Sequence, residues 1–424
     1  MIETTIEKDK ALLIGVVYGS QTVTEVEENL DELTLLANTA GADVVGRIVQ
    51  KRSQIHAALY VGKGKMEEIV STVEMLKVNL VIFDDELSPA QTKNLQKMLD
   101  HAQVIDRSSL ILDIFVRHAS SKESKTQVEL AQLQYLLPRL TRAWTHLERQ
   151  RGATSTRGGM GETQIEVDRR LIRNRISTLK IDLEKIEKQR NTRRKNREDM
   201  FKVALVGYTN AGKSSLMNLL SGADVLVEDK LFATLDTTVR KITVLEQEIL
   251  LSDTVGFIHK LPHHLVASFK STLQEVRHAD LILKIIDLSS PQYERHLETV
   301  NEVLMDIGVA ENETLTVFNK IDLVTDHQIF RSAQRGSEKS VLISVSQQIN
   351  IKQLEVAISE FRSSDFVETT LKLDHSQQKF LASLRLIAEV LDITYEADHL
   401  MVKIRVRKDA LDQITKQGAL KGGH

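Results

Sequence analysis

The run Gly-Tyr-Thr-Asn-Ala-Gly-Lys-Ser at residues 207–214 constrains this chain more than any other feature. It fits G-x-x-x-x-G-K-[ST], a spacing that has physical meaning between a strand and a helix. Lys202-Val203-Ala204-Leu205-Val206 before it reads as a buried strand, and Ser215-Leu216-Met217-Asn218-Leu219-Leu220 after it reads as the start of a helix. In that setting backbone N–H groups and the positive helix end converge on phosphate oxygens. Gly207 and Gly212 supply torsions and close approach that a Cβ would obstruct. Tyr208, Thr209, Asn210 and Ala211 form the turn between them. Lys213 is expected to reach the β/γ-phosphates, and the Ser214 hydroxyl to ligate Mg2+. A nucleoside triphosphate is the expected ligand.

Three downstream motifs select the base. Asp253-Thr254-Val255-Gly256 follows the apolar Ile249-Leu250-Leu251 and forms a D-x-x-G, whose carboxylate can hold Mg2+ through water and whose Gly N–H can meet the γ-phosphate. Asn319-Lys320-Ile321-Asp322 follows Leu315-Thr316-Val317-Phe318 and forms an N-K-x-D. The Asp322 carboxylate can accept from guanine N1–H and the 2-amino group, and ATP would leave it unpaired. Ser344-Val345-Ser346 stands where GTPases carry a further base-contacting loop. Phe232-Ala233-Thr234-Leu235-Asp236 lies in the polar connection after the first helix. Thr234 is the candidate switch residue closing on Mg2+ and the γ-phosphate, with Asp236, Thr237 and Thr238 close enough to compete for that assignment. The four motifs together predict a GTPase domain with Lys213, Thr234 and Gly256 as the catalytic set.

A basic segment precedes that domain. The net charge is −3, yet residues 121–200 hold 19 Lys and Arg against 11 Asp and Glu, leaving the remainder acidic. Leu130, Leu133, Leu137, Leu140, Trp144 and Leu147 recur at three- and four-residue steps, as do Ile172, Ile176, Leu179, Leu183 and Ile186. Two such stripes joined by the Gly- and Arg-rich stretch 151–161 predict a long antiparallel helical hairpin. Each arm should run roughly 35 Å at about 1.5 Å per residue, with a kink at Pro138. Arg149, Arg151, Arg157, Arg169, Arg170 and Arg173 would gather at or near its tip. They read as contacts to folded RNA or as the solubilising face of a structural coiled coil. The cluster Arg190, Arg193, Arg194, Lys195 and Arg197 abuts the P-loop strand as a linker, an RNA contact or both.

The segment Arg157-Gly158-Gly159-Met160-Gly161-Glu162-Thr163-Gln164-Ile165-Glu166-Val167-Asp168-Arg169-Arg170 resembles the signature of the HflX family. So do residues 127–133 and 137–140, Asp106-Arg107 with residues 110–115, and the form of the P-loop itself. The resemblance spans roughly residues 10–365. It implies a ribosome-associated, translation-factor-related GTPase that binds the large subunit and its rRNA and dissociates or rescues ribosomes under stress. The chain departs from the family pattern at two places. It has Gly-Gly-Met-Gly where the family usually has Gly-Pro-Gly, and Asp236-Thr237-Thr238 in place of Asp-Pro-Thr. Some members are associated with ATP use through the N-terminal region, where this chain forms no recognisable ATP site.

The expected architecture is α/β. It places an N-terminal α/β domain at 1–120, the helical hairpin at 121–198, the P-loop GTPase domain at 199–366 and a small α+β domain at 367–424. Strands are expected at 11–18, 80–84 and 104–106, helices at 25–39 and 66–75, and a tight turn at 61–65. The last domain should hold strands at 366–373 and 394–406 around a helix near 377–390. A hydrophobic fraction of 42% supports real cores, and no apolar run reaches about 18 residues, so neither a membrane span nor a secretory signal is expected. A cytoplasmic chain, in places peripheral to membranes and monomeric when free, is the expectation, with no DNA partner. The absence of cysteine excludes disulfides and thiol chemistry. His263-His264 reads as a switch-adjacent surface pair rather than a metal site.

Phe257 follows Gly256 where Ras-like GTPases place a water-orienting Gln. A phenyl ring cannot orient water, so slow hydrolysis by the isolated chain is expected, with help from the ribosome or from K+. Asn210 sits at the P-loop position where K+-activated relatives supply a ligand, and reads equally as a loop-bracing hydrogen bonder. A GTP-dependent switch that grips a protein partner through the hairpin is the alternative to a ribosome remodeller.

Overall fold

The computed structural model describes residues 8–143, 164–195, 200–222, 231, 232, 235–260, 274–309, 313–336, 339–364, 366–374, 380, 381, 384, 388–396 and 399–407. The first sheet is built from β1 (Lys10–Val17), β2 (Asp43–Lys51), β3 (Leu80–Phe83) and β4 (Gln103–Asp106), all parallel in the order β2-β1-β3-β4. Helices α1 (Val23–Thr39), α2 (Lys63–Leu76), α3 (Pro89–Met98) and α4 (Arg107–His118) connect and cover it. The unbroken apolar run of β1 follows from burial on both faces. Ala11, Leu13 and Val17 point into one core with α1 and α4, whereas Leu12, Ile14 and Val16 point into another with α2. Thr22 and Glu25 form a capping box that starts α1, and Ser88 with Gln91 does the same for α3, which has Pro89 in its first turn.

The expected strands are present, and β2 joins them from a stretch with no apolar alternation strong enough to mark it. The turn expected at 61–65 is corrected. Gly62 is the N-cap and Lys63, Gly64 and Lys65 form the first turn of α2. That helix end has no side-chain cap, and backbone donors at a helix start need no special sequence when water can serve them.

Helices α5 (Lys122–Ala143) and α6 (Gln164–Lys195) pack on one another. Arg190 reaches Glu123 and Arg175 reaches Glu129, so later positions of α6 lie beside earlier positions of α5. Leu179 is buried and Ile172, Ile176, Leu183 and Ile186 are half-buried on α6, while Leu171 and Ile181 off that stripe are exposed. Pro138 lies inside α5. At 32 residues α6 is about 48 Å long, longer than the arm expected from its stripe. Trp144, Leu147 and the tip with Arg149, Arg151 and Arg157 lie outside the described residues.

The central sheet has the order β10-β9-β8-β5-β7-β6. Its strands are β5 (Phe201–Gly207), β6 (Thr238–Val244), β7 (Gln247–Asp253), β8 (Leu281–Asp287), β9 (Glu313–Asn319) and β10 (Ser340–Leu342), and only the β6–β7 pair is antiparallel. Helices α7 (Lys213–Ser221), α8 (Gln274–Arg277), α9 (Tyr293–Asp306), α10 (His327–Arg335) and α11 (Ile351–Ser364) complete this P-loop GTPase fold. Val203 and Leu205 of β5 face α7 and α11, and Ala204 and Val206 face α9 and α10. A third sheet, antiparallel β11 (Phe366–Leu373), β13 (Leu400–Arg407) and β12 (Glu389–Tyr395), follows. The helix expected through 390 is therefore shortened, because Val390 already pairs with Ile404 in this sheet.

Candidate functional site

Close packing explains the glycines of the turn after β5. A Cβ on Gly207 would stand 2.2 Å from the Ile285 carbonyl oxygen. Gly212, the N-cap of α7, has φ +97° and would bring a Cβ to 2.3 Å from Asn319 Nδ2. Asn210 between them also takes a left-handed φ of +59°, a conformation Asn tolerates better than most residues. The turn so made leads straight into the start of α7, whose open N–H groups make a ready anion cradle. Lys213 opens α7 and donates from Nζ to the carbonyls of Gly207 (3.1 Å) and Tyr208 (2.7 Å). Burial pushes its ammonium down to about 8, against the opposing pull of Asp253.

Asp253 ends β7 and accepts from Ser214 Oγ at 2.7 Å. Burial raises its carboxyl above the usual range, although Lys213 and Ser214 work the other way. Two buried oxygens here, Asp253 Oδ1 and Thr209 Oγ1, have no hydrogen-bond partner. The Ser214 hydroxyl and Asp253 are adjacent hard oxygen donors of the kind that suits Mg2+ held jointly by protein and phosphate. Among the described residues no group of three or more His, Asp or Glu could hold a metal alone. Thr254 is fully buried and donates to the Leu205 carbonyl at 2.8 Å, which fixes the D-x-x-G turn to the P-loop strand.

Gly256 lies directly on the phosphate loop. A Cβ there would meet Thr209 Cγ2 at 2.8 Å, Thr209 Cα at 2.9 Å and Lys213 Nζ at 3.0 Å. Phe257 is buried and its backbone pairs with the loop, donating to Gly207 O (3.0 Å) and accepting from Thr209 N (2.8 Å). Its ring faces the core, away from any role with water.

The base side is braced by Asn319. Its Nδ2 donates to Ala211 O at 2.9 Å and its Oδ1 accepts from Val345 N at 3.1 Å, so one amide ties the P-loop to the 344–346 loop. Lys320 has φ +63° and pairs with Asp287 at 2.7 Å. Ile321 and Asp322 begin a short turn of helix. Ser346 Oγ donates to Asp322 Oδ2 at 3.2 Å, and Ser344 is buried beneath it. Hydrogen bonds from Ser344, and more weakly from Ser346, hold the Asp322 carboxyl below its ordinary value. An exposed, ionised acceptor at this mouth is what a donor edge of a purine needs.

The residues that flank the candidate switch threonine are held by the N-terminal domain. Leu231, Phe232 and Leu235 are buried in its core, with the Phe232 ring edge-on to Phe115 at 4.7 Å. Asp236 Oδ2 accepts from Ser120 N (3.1 Å), Ser120 Oγ (2.6 Å) and Ser121 N (3.1 Å), and Oδ1 accepts from Ser121 Oγ. Ala233 and Thr234 lie outside the described residues, as does the pair His263-His264. Past Gly256 the chain is gripped too. Lys260 bridges Asp84 (2.5 Å) and Asp85, and Arg107 donates to the His259 carbonyl at 3.0 Å. Tyr208 donates to Glu32 at 2.6 Å, accepts from His259 N and stacks on His296 at 4.0 Å.

Sequence reasoning singled out the nucleotide loops and missed this second set: Glu32, Asp84, Asp85, Arg107 and Lys260. No local spacing marks them, because partners such as Asp84 and Lys260 stand 176 positions apart. Arg107 was noticed for its company in a motif, and the structure gives it a role as a fully buried cation between Asp84 and Glu32. Of the arginines assigned to the hairpin tip, Arg170 and Arg173 are exposed and Arg169 is half-buried.

Comparison with known proteins agrees with this geometry. Residues 27–116 match a family described as GTP-binding GTPase N-terminal, residues 118–197 its GTP-binding GTPase middle region, and residues 202–320 a 50S ribosome-binding GTPase. The chain is 52% identical over 318 residues to GTPase HflX of Flavobacterium psychrophilum, covering 75% of this chain and 76% of that one. It is 47% identical to the GTPase HflX of Caldanaerobacter subterraneus, covering 87% and 84%, and 46% identical to that of Escherichia coli, covering 82% of each. Among solved structures it is similar to a GTP-binding protein from Sulfolobus solfataricus in complex with GDP, at 24% identity and a TM-score of 0.45 over 84% of this chain and 99% of that one.

Proposed function

This chain belongs to the HflX family of GTPases, and from that premise we propose that it binds the large ribosomal subunit through its helical hairpin and uses GTP to dissociate or rescue stalled ribosomes. It is a GTPase, with a GTPase domain of the ribosome-binding kind. The observation that carries the finer reading is a 32-residue basic helix, paired with α5, that follows a Gly- and Arg-rich stretch and runs directly ahead of the GTPase domain. Arginines suit that target because planar guanidinium forks match phosphate and stack on unpaired bases.

Within the site, Lys213 and the backbone of 207–212 hold the phosphates, and Asp322 with Ser344–Ser346 reads guanine. Ser214 and Thr234 would ligate Mg2+, with Asp253 joining through water. That ion would neutralise charge developing on the phosphate oxygens. Gly256, which has room beside Thr209 and Lys213 only because it lacks a Cβ, presents its N–H to the γ-phosphate. With Phe257 turned into the core, this chain needs water positioning from outside the D-x-x-G turn. Ordering of the switch segments by the ribosome supplies it, or K+ at the Asn210 position.

The test is GTP turnover and sucrose-gradient sedimentation with vacant large subunits in GTP, GDP and a non-hydrolysable analogue. Turnover should rise at least about tenfold with large subunits, and co-sedimentation should be strongest with the analogue. Unchanged turnover, with acceleration by a protein client instead, would overturn the ribosomal reading in favour of a protein-directed switch. Replacing Arg169, Arg170 and Arg173 by Ala should weaken subunit binding and flatten its salt dependence, because fewer counterions are released.

A further inference from the structure

The hairpin does not merely hang from the GTPase domain; its base is made in part from the nucleotide-sensing loops. Helix α5 begins with Ser121 as its cap: Ser121 Oγ accepts from Ser124 N at 3.0 Å and its carbonyl accepts from Lys125 N at 3.1 Å. The backbone N–H groups of Ser120 and Ser121 have no place in the helix itself. Both point at one carboxylate oxygen of Asp236, which also takes the Ser120 hydroxyl. Asp236 is thus an N-terminal anion delivered to α5 from 115 positions away, where it satisfies open donors and complements the positive helix end. At the same end of the hairpin, Arg190 of α6 joins Glu123 of α5 at 2.8 Å and Glu275 of α8 at 3.6 Å. The hairpin base therefore touches the chain on either side of the D-x-x-G turn.

We propose that Asp236 is the mechanical link by which nucleotide state sets the pose of the helical hairpin. The argument is one of reach. Thr234, read above as the residue drawn to Mg2+ and the γ-phosphate, stands two residues before Asp236, and two residues span at most about 7 Å. On the other side, Thr238 is fixed at once by pairing with Asp253 in the sheet. Asp236 has little slack between these anchors. When the 231–236 segment moves toward the nucleotide, its carboxylate either leaves the start of α5 or carries α5 along. Leu231, Phe232 and Leu235, seated among Ile111, Phe115 and Val128, must shift with it. Both outcomes change the hairpin, and α6 extends about 48 Å from this base, so a small displacement grows toward the tip. Linkage makes the effect reciprocal: whatever holds the tip in one pose biases the nucleotide by the same factor.

The experiment needs no ribosome, so its outcome is independent of which partner the tip grips, although it does rest on Thr234 being the nucleotide-sensing residue. The chain has no cysteine, so Cys introduced in place of the exposed Lys180 on α6 and Glu302 on α9 take two spin labels alone. The distance between them is measured with GDP and with a non-hydrolysable GTP analogue. In the otherwise unaltered chain the distribution should shift by more than about 2 Å between nucleotides. In a Ser120→Ala, Ser121→Ala variant the shift should vanish while GDP affinity is kept. Asp236→Asn, which keeps the shape and removes the charge, guards against the double variant simply fraying α5 and should reduce the shift as well. No shift in the unaltered chain, or a full shift surviving in both variants, overturns the proposal.

Discussion

The two mainly parallel sheets of this protein obey the same rule with opposite chemistry. In open α/β sheets the ligand edge lies beyond the carboxyl ends of the strands. At that edge of the GTPase domain stand Gly207, Gly212 and Lys213, a cradle built for phosphate. At the same edge of the N-terminal sheet stand Asp84, Asp85 and Glu86, with Tyr18 and Tyr60, around a cavity of about 450 Å³, and Asp106 ends β4 at that edge. The second edge would repel phosphate. It is occupied instead by cations of the protein itself: Arg107 from its own domain and Lys260 from the other. One edge carries the P-loop of a GTPase domain and the other holds the segment that follows its D-x-x-G turn. Fold sets where an edge is, and side-chain charge decides what it takes.

Breaking the acidic edge should have the largest effect. Arg107 is completely buried, and Arg107→Ala leaves Glu32 without this cation and Asp84 with Lys260 alone. Removing one partner of a buried pair costs about 3–5 kcal/mol, so the urea midpoint should fall sharply. A shift under about 1 kcal/mol would show that water or Lys260 replaces the guanidinium. Next comes the phosphate edge. Lys213→Met should weaken GTP and GDP by about 10- to 100-fold, corresponding to 1.5–3 kcal/mol for a charge-assisted contact, as read by fluorescent-nucleotide titration. The stability of the fold should hardly change, because Lys213 spends its hydrogen bonds on loop carbonyls alone.

The contact between the two edges is weaker than either. Lys260→Gln should loosen the docked segment and let Gly256 lift more easily, raising the affinity for a GTP analogue relative to GDP. About 1 kcal/mol, roughly fivefold in that ratio, is the expected size. An unchanged ratio would confine Lys260 to holding the domains together. At neutral pH the smallest effect belongs to His259, and it grows on acidification. Burial and then Arg295 push His259 down to about 4 from its ordinary 6.5. Its folded form resists a proton that the unfolded chain accepts, so stability is full above about pH 6.5 and declines as pH falls toward 4. The slope is at most about 1.4 kcal/mol per pH unit, less with solvent screening, and His259→Gln should flatten it in thermal melts.

The contrast also explains what could be read before any fold was known. The phosphate edge is local chemistry: Gly207 to Ser214 are eight consecutive residues, and Asp253, Asn319 and Asp322 each follow an apolar run that marks a strand. The hairpin stripes were equally legible, since burial on one helical face imposes a period on sequence. The acidic edge is not local. Glu32, Asp84, Arg107 and Lys260 come from four separate elements or loops, and each alone looks like an ordinary surface charge. Asp236 shows the same limit from within a recognised motif. Its place beside Thr234 assigned it to the nucleotide, whereas the structure puts its carboxylate on the serines that start α5. Motifs report which residues travel together along the chain and say nothing of where a carboxylate turns.

The contact of Arg107 with the His259 carbonyl has a consequence for how the chain is made. Synthesis releases the N-terminal sheet long before its last acceptor: 152 residues separate the two partners. At roughly 5–20 residues per second that is an interval of about 8–30 s. During it Asp84 and Asp85 face water without Lys260, and Arg107 holds only the partners its own domain supplies. The N-terminal sheet is therefore a nascent domain with an open acidic mouth, and the arriving 259–260 segment seals it. Assembly of the two units is thereby ordered in time, the first providing the socket into which the second is born.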